Sequence, residues 1–206
     1  VDNAAKINER IMNMDKIYDL AKFLENTSYE EIPPKAIESA KTLFLDIIAT
    51  ITAGSTAPTC HEVETLYADK GGKPESHILV YGDKVPASSA AFVNTLMAHS
   101  RDFDDTHEEA IIHTGVSVVS TAMAVAEQVG GVSGKLFLKS IVMAVDVFTR
   151  LALASELSVY ESGWVFTSLF AYFANAMSAS LLRGHNAEQM VNSAGIVLSQ
   201  AAGIHQ

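Results

Sequence analysis

The sequence predicts an all-α fold, a single multi-helix domain over residues 1–206 with at most one short extended segment near residues 77–81. Apolar residues recur at helical spacing along most of the chain, and helix-starting prolines or capping residues precede the apolar runs while glycines follow them. A hydrophobic fraction of 49% and a mean hydropathy of +0.19 provide enough apolar surface for one substantial core.

The first half of the chain divides at its start and stop signals. Pro34 and Pro86 are predicted at helix starts, because proline is tolerated in the first turn of a helix. The run Ile78-Leu79-Val80-Tyr81 is apolar and partly β-branched, which predicts a short strand or extended segment that Gly82 then turns. The helices predicted in this half cover residues 17–27, 33–54, 61–69 and 87–100.

The second half is also helical. Ser133 is predicted to cap one helix, and Asn186 with Gln189 forms a capping box for the last one. The predicted helices cover residues 116–129, 133–154 and 164–182, followed by one that begins after Asn186. Because the last helix has no stop signal, we expect it to continue from Ser199 to Gln206, in a chain cut from a longer polypeptide.

Composition excludes several functions. A net charge of −10 repels a phosphate backbone, so we expect no nucleic-acid partner. Cys60 is the only cysteine, which rules out an intrachain disulfide. Residues 164–182 carry no charge, but they contain too many polar side chains for a membrane span. Because residues 1–6 show no signal-peptide pattern, we expect a cytoplasmic protein, or a mitochondrial matrix protein in a eukaryote.

The stretch Asp102-Phe103-Asp104-Asp105-Thr106-His107 concentrates acid–base groups at a predicted helix end. One interpretation is structural, with an aspartate that caps a turn and Arg101 paired to a carboxylate. A second is an aspartate-rich magnesium site that binds a diphosphate, although the sequence offers neither a second acidic motif nor a cationic cluster for it. A third is an acid–base site for a carboxylic acid, built with the nearby His113.

The run from Met97 to His107, followed by His113-Thr114-Gly115 and a small-residue helix, resembles the signature of the MmgE/PrpD family. The resemblance covers nearly the whole chain. Further similar segments are Leu20–Leu24, Ala40–Asp46, Gly71–Glu75, Ala90–Asn94 and Gly195–Gln200.

The resemblance implies a cofactor-independent lyase or epimerase that acts on a small di- or tricarboxylic acid. Members move a proton next to a carboxylate, as in 2-methylcitrate dehydratase, cis-aconitate decarboxylase and iminodisuccinate epimerase. They are usually homodimers of a helical domain and a smaller α/β lid. This chain is similar to the helical domain alone, so we expect the lid to be absent from it and the chain alone to be inactive.

The same resemblance assigns site residues. It implies that His113 and Asp102 are catalytic and that Thr106 binds substrate, and we place His107 and Arg101 with Thr106 as substrate-binding residues.

We expect Asp104 and Asp105 to belong to the local scaffold and His99 to act indirectly or structurally. We expect no cofactor and no tightly bound metal.

Val165 is a departure from the family pattern, because it stands where the family usually has a pocket histidine. A valine cannot move protons, so either the chemistry differs from that of the dehydratase and decarboxylase members, or the activity is reduced or lost. The lysines that the family uses would also lie beyond Gln206. The alternative function is therefore a catalytically inactive helical dimerisation module of the same fold.

Overall fold

The computed structural model describes residues 15–155 and 159–204, and these residues confirm the predicted all-α class. A 3₁₀ turn at Tyr29–Glu31 links the first two helices. In chain order the elements are α1 (Lys16–Asn26), α2 (Pro34–Gly54), α3 (Cys60–Lys70), β1 (Ser76–His77), β2 (Lys84–Val85), α4 (Ala87–His99), α5 (Gly115–Val129), α6 (Gly134–Ala154), α7 (Val159–Ser162), α8 (Phe166–Leu182) and α9 (Ala187–Leu198).

The predicted helix caps form as expected. The Ser133 hydroxyl accepts a hydrogen bond from the backbone N–H of Leu136 at 3.2 Å. At the start of α9, the Asn186 side chain accepts from the N–H of Gln189 at 2.9 Å, and the Gln189 side chain accepts from the N–H of Asn186 at 3.0 Å. Each bond satisfies an N–H that has no partner within its own helix, which fixes where the helix begins.

The extended segment is shifted from its predicted position. β1 and β2 form an antiparallel pair of two residues each, and the segment from Ile78 to Tyr81 forms the turn between them. The turn is closed by hydrogen bonds from Ile78 N–H to the Asp83 carbonyl and from Gly82 N–H to the Ile78 carbonyl, at 2.8 and 2.9 Å. Ile78 is fully buried, so its apolar character reflects packing against the core.

The prediction that the last helix continues to Gln206 is wrong over the described residues. α9 ends at Leu198, and the chain then turns towards the segment that precedes α8. There the Val165 N–H donates to the Gly203 carbonyl at 2.9 Å, and Trp164 pairs with Ile204 as an antiparallel bridge. This tertiary pairing replaces the helical hydrogen bonds, and Gly203 adopts a φ of 132° that a longer helix could not include.

Two buried clusters hold the helices together. α8 packs on α5, α6 and α9, while α4 packs on α2 and α5. Large, fully buried side chains of the main core include Ile47, Ile51, Met97 and Phe148; the second core, between α1, α6, α8 and α9, contains Leu24, Met177 and Met190. Because α4 and α5 pack against each other, the loop that joins them is anchored at both ends.

Residues 164–182, the charge-free stretch of the sequence, fold largely into α8. Within it Ser178 and Ser180 are buried against other helices. Among the helices that the structure describes, none has both the length and the apolar character needed to cross a bilayer.

Candidate active site

The α4–α5 loop, residues 100–114, is folded on itself by backbone hydrogen bonds. The N–H of Asp102 donates to the His99 carbonyl at 3.0 Å, and His107 and Ile112 pair as an isolated bridge. Asp102 and Ile111 have φ angles of 54° and 52°. Aspartate tolerates this left-handed region better than a β-branched residue does, so the strain is greater at Ile111.

Asp104 is the centre of an acid–base cluster. Its side chain is fully buried, and the Nδ1 atom of His99 lies 3.0 Å from both of its carboxylate oxygens. His113 Nδ1 lies 3.1 Å from Asp104 Oδ2, without hydrogen-bond alignment. The two imidazole rings meet edge to face with centroids 4.9 Å apart. Asp102 completes the cluster, since the polar atoms of all four side chains lie within 4.8 Å of one another.

The electrostatics of the cluster follow from the burial of Asp104. A buried carboxylate is unfavourable unless charge and hydrogen bonds compensate it. The hydrogen bond from His99 to Asp104 raises the pKa of that imidazole, burial opposes the rise, and the charges of Asp104 and Asp102 add to it. His99 therefore carries positive charge over a wider pH range than a free imidazole does.

The ion pair gives a defined pH dependence of stability. Because the pKa of His99 is higher in the folded than in the unfolded chain, its contribution is complete below the ordinary imidazole pKa, roughly 6.5, and is lost as pH rises through the raised value. We expect the difference in unfolding free energy between the wild type and His99→Gln to shrink as pH rises above neutrality. Urea unfolding of both proteins over a pH series measures this difference in unfolding free energy.

The control is the same His99→Gln comparison in an Asp104→Asn background, where the difference should no longer shrink as pH rises, because the hydrogen bond and charge of Asp104 that raise the His99 pKa are gone and burial, which lowers it, remains. A wild-type difference that is constant over the same range would contradict the ion pair.

Asp105 has a different and local role. Its carboxylate accepts hydrogen bonds from Thr114 Oγ1 at 2.6 Å and from the backbone N–H groups of Thr114 and Gly115 at 3.2 and 2.7 Å. These N–H groups begin α5, so Asp105 caps that helix from a distance in sequence. A Cβ atom on Gly115 would lie 2.5 Å from Asp105 Oδ1 and from Leu43 Cδ1. The close fit of Gly115 fixes the loop onto the helix.

A cavity of about 420 Å³ lies beside the cluster. His99 and His113 form one edge, and the Thr167 hydroxyl accepts a hydrogen bond from the His113 N–H at 3.0 Å. Much of the remaining wall is apolar and comes from α5, α8 and the segments near them: Ile111, Val116, Val159, Val165, Phe166 and Ala171.

The structure brings together two of the five residues predicted for the site. His113 lines the cavity, and Asp102 belongs to the cluster at its edge. Thr106 is exposed on the loop, and His107 Nδ1 accepts from the Ala110 N–H at 3.2 Å within the turn.

Arg101 extends away from the cluster towards α2, where its Nη2 lies 3.4 Å from Thr56 Oγ1. Within the described chain, Arg101, Thr106 and His107 are not among the side chains that line this cavity.

His99 and Asp104 are the members of the cluster that sequence reasoning placed outside the site. No spacing rule separates Asp104 from Asp102 and Asp105, because three carboxylates within four residues look alike in sequence. Burial separates them, since Asp104 is 5% exposed while Asp102 is exposed. One feature of the sequence could have pointed to His99 as a member of the cluster. It lies at the end of α4, five residues before Asp104.

The two imidazoles and two carboxylates are also suitable ligands for a divalent transition metal. Here His99 Nδ1 faces the Asp104 carboxylate at hydrogen-bond distance. A metal ion would have to replace the proton between them, so proton and metal would compete for the same atoms.

The described structure is thus an all-helical domain that holds a histidine–aspartate cluster at the edge of a small cavity. The chain belongs to the MmgE/PrpD family, as its resemblance to the family signature predicted. The family model for the MmgE/PrpD N-terminal domain matches residues 18–206.

Two relatives illustrate the similarity. Over 191 residues the chain is 25% identical to a cis-aconitate decarboxylase of Aspergillus terreus, an alignment that covers 90% of this chain and 39% of the relative. Over 197 residues it is 24% identical to the cis-aconitate decarboxylase-like protein oryM of Aspergillus oryzae, covering 90% and 40%. The chain thus spans about two fifths of the length of these curated relatives.

Proposed function

We propose that this chain forms the acid–base part of a cofactor-independent lyase or epimerase that acts on a small di- or tricarboxylic acid. The observation that carries the proposal is the buried Asp104 carboxylate between His99 and His113, at the edge of a cavity of about 420 Å³. The names of the relatives support a lyase, since both refer to decarboxylation of a carboxylic acid.

The reaction type follows from what the cluster offers. Removing a proton or CO₂ next to a carboxylate leaves a carbanion or enolate, which needs a positioned base and a cationic or hydrogen-bonding partner. His99 supplies the cation, because its pKa is raised by the hydrogen bond to Asp104 and it remains protonated over a wider pH range.

His113 is assigned the proton transfer. Its side chain is 23% exposed against 48% for His99, so it lies deeper beside the cavity. Its Nδ1 faces Asp104 and its backbone N–H is held by Thr167, which leaves Nε2 as the nitrogen that can exchange a proton with substrate. Asp104 positions both rings, and Asp102 adds negative charge at the edge of the cluster.

The described cavity wall contains no lysine or arginine, although a substrate with two or three carboxylates needs more positive charge than two histidines provide. We therefore propose that a second domain supplies the remaining cations and that the full-length protein works as a homodimer. We also propose a cytoplasmic or mitochondrial matrix location.

Incubating the full-length protein in D₂O with 2-methylcitrate, cis-aconitate and iminodisuccinate tests the proposal. We expect turnover, or deuterium exchange at the carbon next to a carboxylate, with at least one of the three acids. We expect His113→Gln to reduce the rate by about 10²- to 10⁴-fold, the usual contribution of a general acid or base. NMR of the acids measures exchange and product together.

His61→Gln is the matched control, because His61 is an exposed histidine on α3 that does not line the cavity. Its rate should equal that of the wild type. Neither turnover nor exchange with any of the three acids would contradict the proposal.

An inactive dimerisation module is the second candidate, and Val165 favours it. Val165 lines the cavity where the family resemblance implies a histidine, so one proton-transfer group is replaced by an inert side chain. If this candidate is correct, His113→Ala and Asp102→Asn leave every measured property of the full-length protein unchanged, including its oligomeric state in sedimentation experiments.

A further inference from the structure

We infer that the cavity beside the His99–Asp104–His113 cluster selects a carboxylic acid with a short apolar arm, and that Val165 determines this selectivity. The inference rests on the proposed function and narrows its substrate class. An acid of this kind has its carboxylate at the histidines and an alkyl branch against Val165. An acid that carries a further carboxylate on that branch fits this apolar contact poorly.

The polar edge of the cavity has an additional unsatisfied group. The hydroxyl of Ser117 is buried and has no hydrogen-bond partner among the described residues, and Ser117 lines the same cavity as His99 and His113. A buried hydroxyl without a partner is unfavourable. Because the Ser117 oxygen has almost no accessible surface, the two histidines are the groups that this edge offers to the oxygen atoms of a carboxylate.

Val116, Val165 and Phe166 form an apolar part of the wall, while the hydroxyl-bearing residues Thr95, Tyr160, Thr167 and Ser168 also line the cavity. No acidic or basic side chain other than the two histidines lines it within the described residues. A carboxylate pressed against Val165 loses its hydration without a compensating partner at that contact. Each buried methylene instead tightens binding about four-fold, which corresponds to about 0.8 kcal/mol.

Val165 is held firmly enough to discriminate between ligands. Its backbone N–H donates to the Gly203 carbonyl at 2.9 Å, and its neighbour Trp164 pairs with Ile204. The Val165 carbonyl also accepts a hydrogen bond from the Leu169 N–H at 3.0 Å, so the backbone is held on both sides and the valine cannot easily withdraw from the cavity to admit a hydrated group. The cavity volume of about 420 Å³ lies in the lower part of the range for ligand sites, roughly 300–1,000 Å³, and suits a small acid.

Binding, rather than turnover, tests the inference. Trp164 is the only tryptophan of the chain and lies next to Val165. Its fluorescence in the full-length protein can be titrated with succinate, methylsuccinate, propylsuccinate and tricarballylate. A Trp164→Phe variant identifies the part of the fluorescence change that arises at this site. The same variant is also titrated by calorimetry, which reports binding without the tryptophan.

We expect affinity to rise about four-fold for each buried methylene from succinate to propylsuccinate, with tricarballylate weaker than propylsuccinate. Val165→Thr keeps the shape of the side chain and adds a hydroxyl. We expect it to weaken propylsuccinate roughly ten-fold and to leave succinate nearly unchanged. Val129→Thr, at an exposed valine that ends α5, is the matched control and should leave all four affinities unchanged.

The inference is overturned if tricarballylate binds as tightly as propylsuccinate, if Val165→Thr weakens all the acids by the same factor, or if none of the acids binds. The proposed function has its own readout in the D₂O experiment. If the acids show alkyl selectivity but neither exchange nor turnover, the proposed function is wrong and the selectivity inference stands. If exchange occurs without alkyl selectivity, the selectivity inference is wrong and the proposed function stands.

Discussion

Asp104→Asn is expected to lower the rate of proton exchange in the full-length protein by about 10²- to 10⁴-fold, within the range for general acid–base groups. Asparagine has nearly the same shape as aspartate, but it is neutral and its single carbonyl oxygen cannot serve two imidazole nitrogens. Both His99 and His113 would lose the anion that lies 3.0 and 3.1 Å from their Nδ1 atoms. Exchange rates measured by NMR across a pH series check the result.

A positioning role for Asp104 has a signature that simple loss of folding lacks. The hydrogen bond to Asp104 is the largest cause of the raised His99 pKa, so Asp104→Asn should lower that pKa in an NMR titration of the imidazole protons. Asp69→Asn, at an exposed aspartate of α3, is the matched control and should change neither the pKa nor the rate. An Asp104→Asn protein with wild-type rates would contradict the positioning role.

Gly54→Ala is expected to reduce the free energy of unfolding by about 3 kcal/mol, at the upper end of the usual cost of overpacking. A Cβ atom on Gly54 would lie 1.8 Å from the backbone oxygen of Met97 and 2.7 Å from its carbonyl carbon. Because backbone atoms cannot rotate away as a side-chain tip can, α2 and α4 would have to separate. Urea unfolding measures the loss.

Gly195→Ala is the control for Gly54→Ala, since Gly195 also lies within a helix but has no neighbouring atom within 4 Å of its Cβ position. There alanine should stabilise the protein by about 0.5–1 kcal/mol through helix propensity. A loss at Gly54 of less than about 1 kcal/mol would show that α2 and α4 can adjust. Because α4 ends at His99, a shift of that helix should also reduce proton exchange.

The fold was largely predictable because its helices are specified locally. Prolines, caps and apolar spacing act within a few residues, so the starts of α2 and α9 could be placed from the sequence. The structure differs from the predicted elements in two segments, and in both the conformation depends on contacts between residues that are distant in sequence. Within the turn from Ile78 to Tyr81, Ile78 is buried against the core while Val80 is exposed, and α9 stops because Gly203 and Ile204 pair with the segment before α8.

The candidate site was predictable only in part, for a related reason. His113 and Asp102 were identified by resemblance to the family signature, and the structure places both at the cluster. Asp104 could not be separated from its neighbours, because its role depends on a burial that only the folded loop creates. Ser117 gave no signal either, since a serine in a small-residue helix is ordinary until its hydroxyl is found buried without a partner.

Asp104 and Asp105 are consecutive residues with different partners, one at the histidine pair and the other at the start of α5. Since one peptide group joins them, a fluctuation that lifts the α4–α5 loop must break the helix cap and the ion pair together. The loop is therefore a small cooperative unit in which the cluster forms or dissolves as a whole. Exchange of the Gly115 amide with solvent would report the same opening that disassembles the proposed catalytic pair.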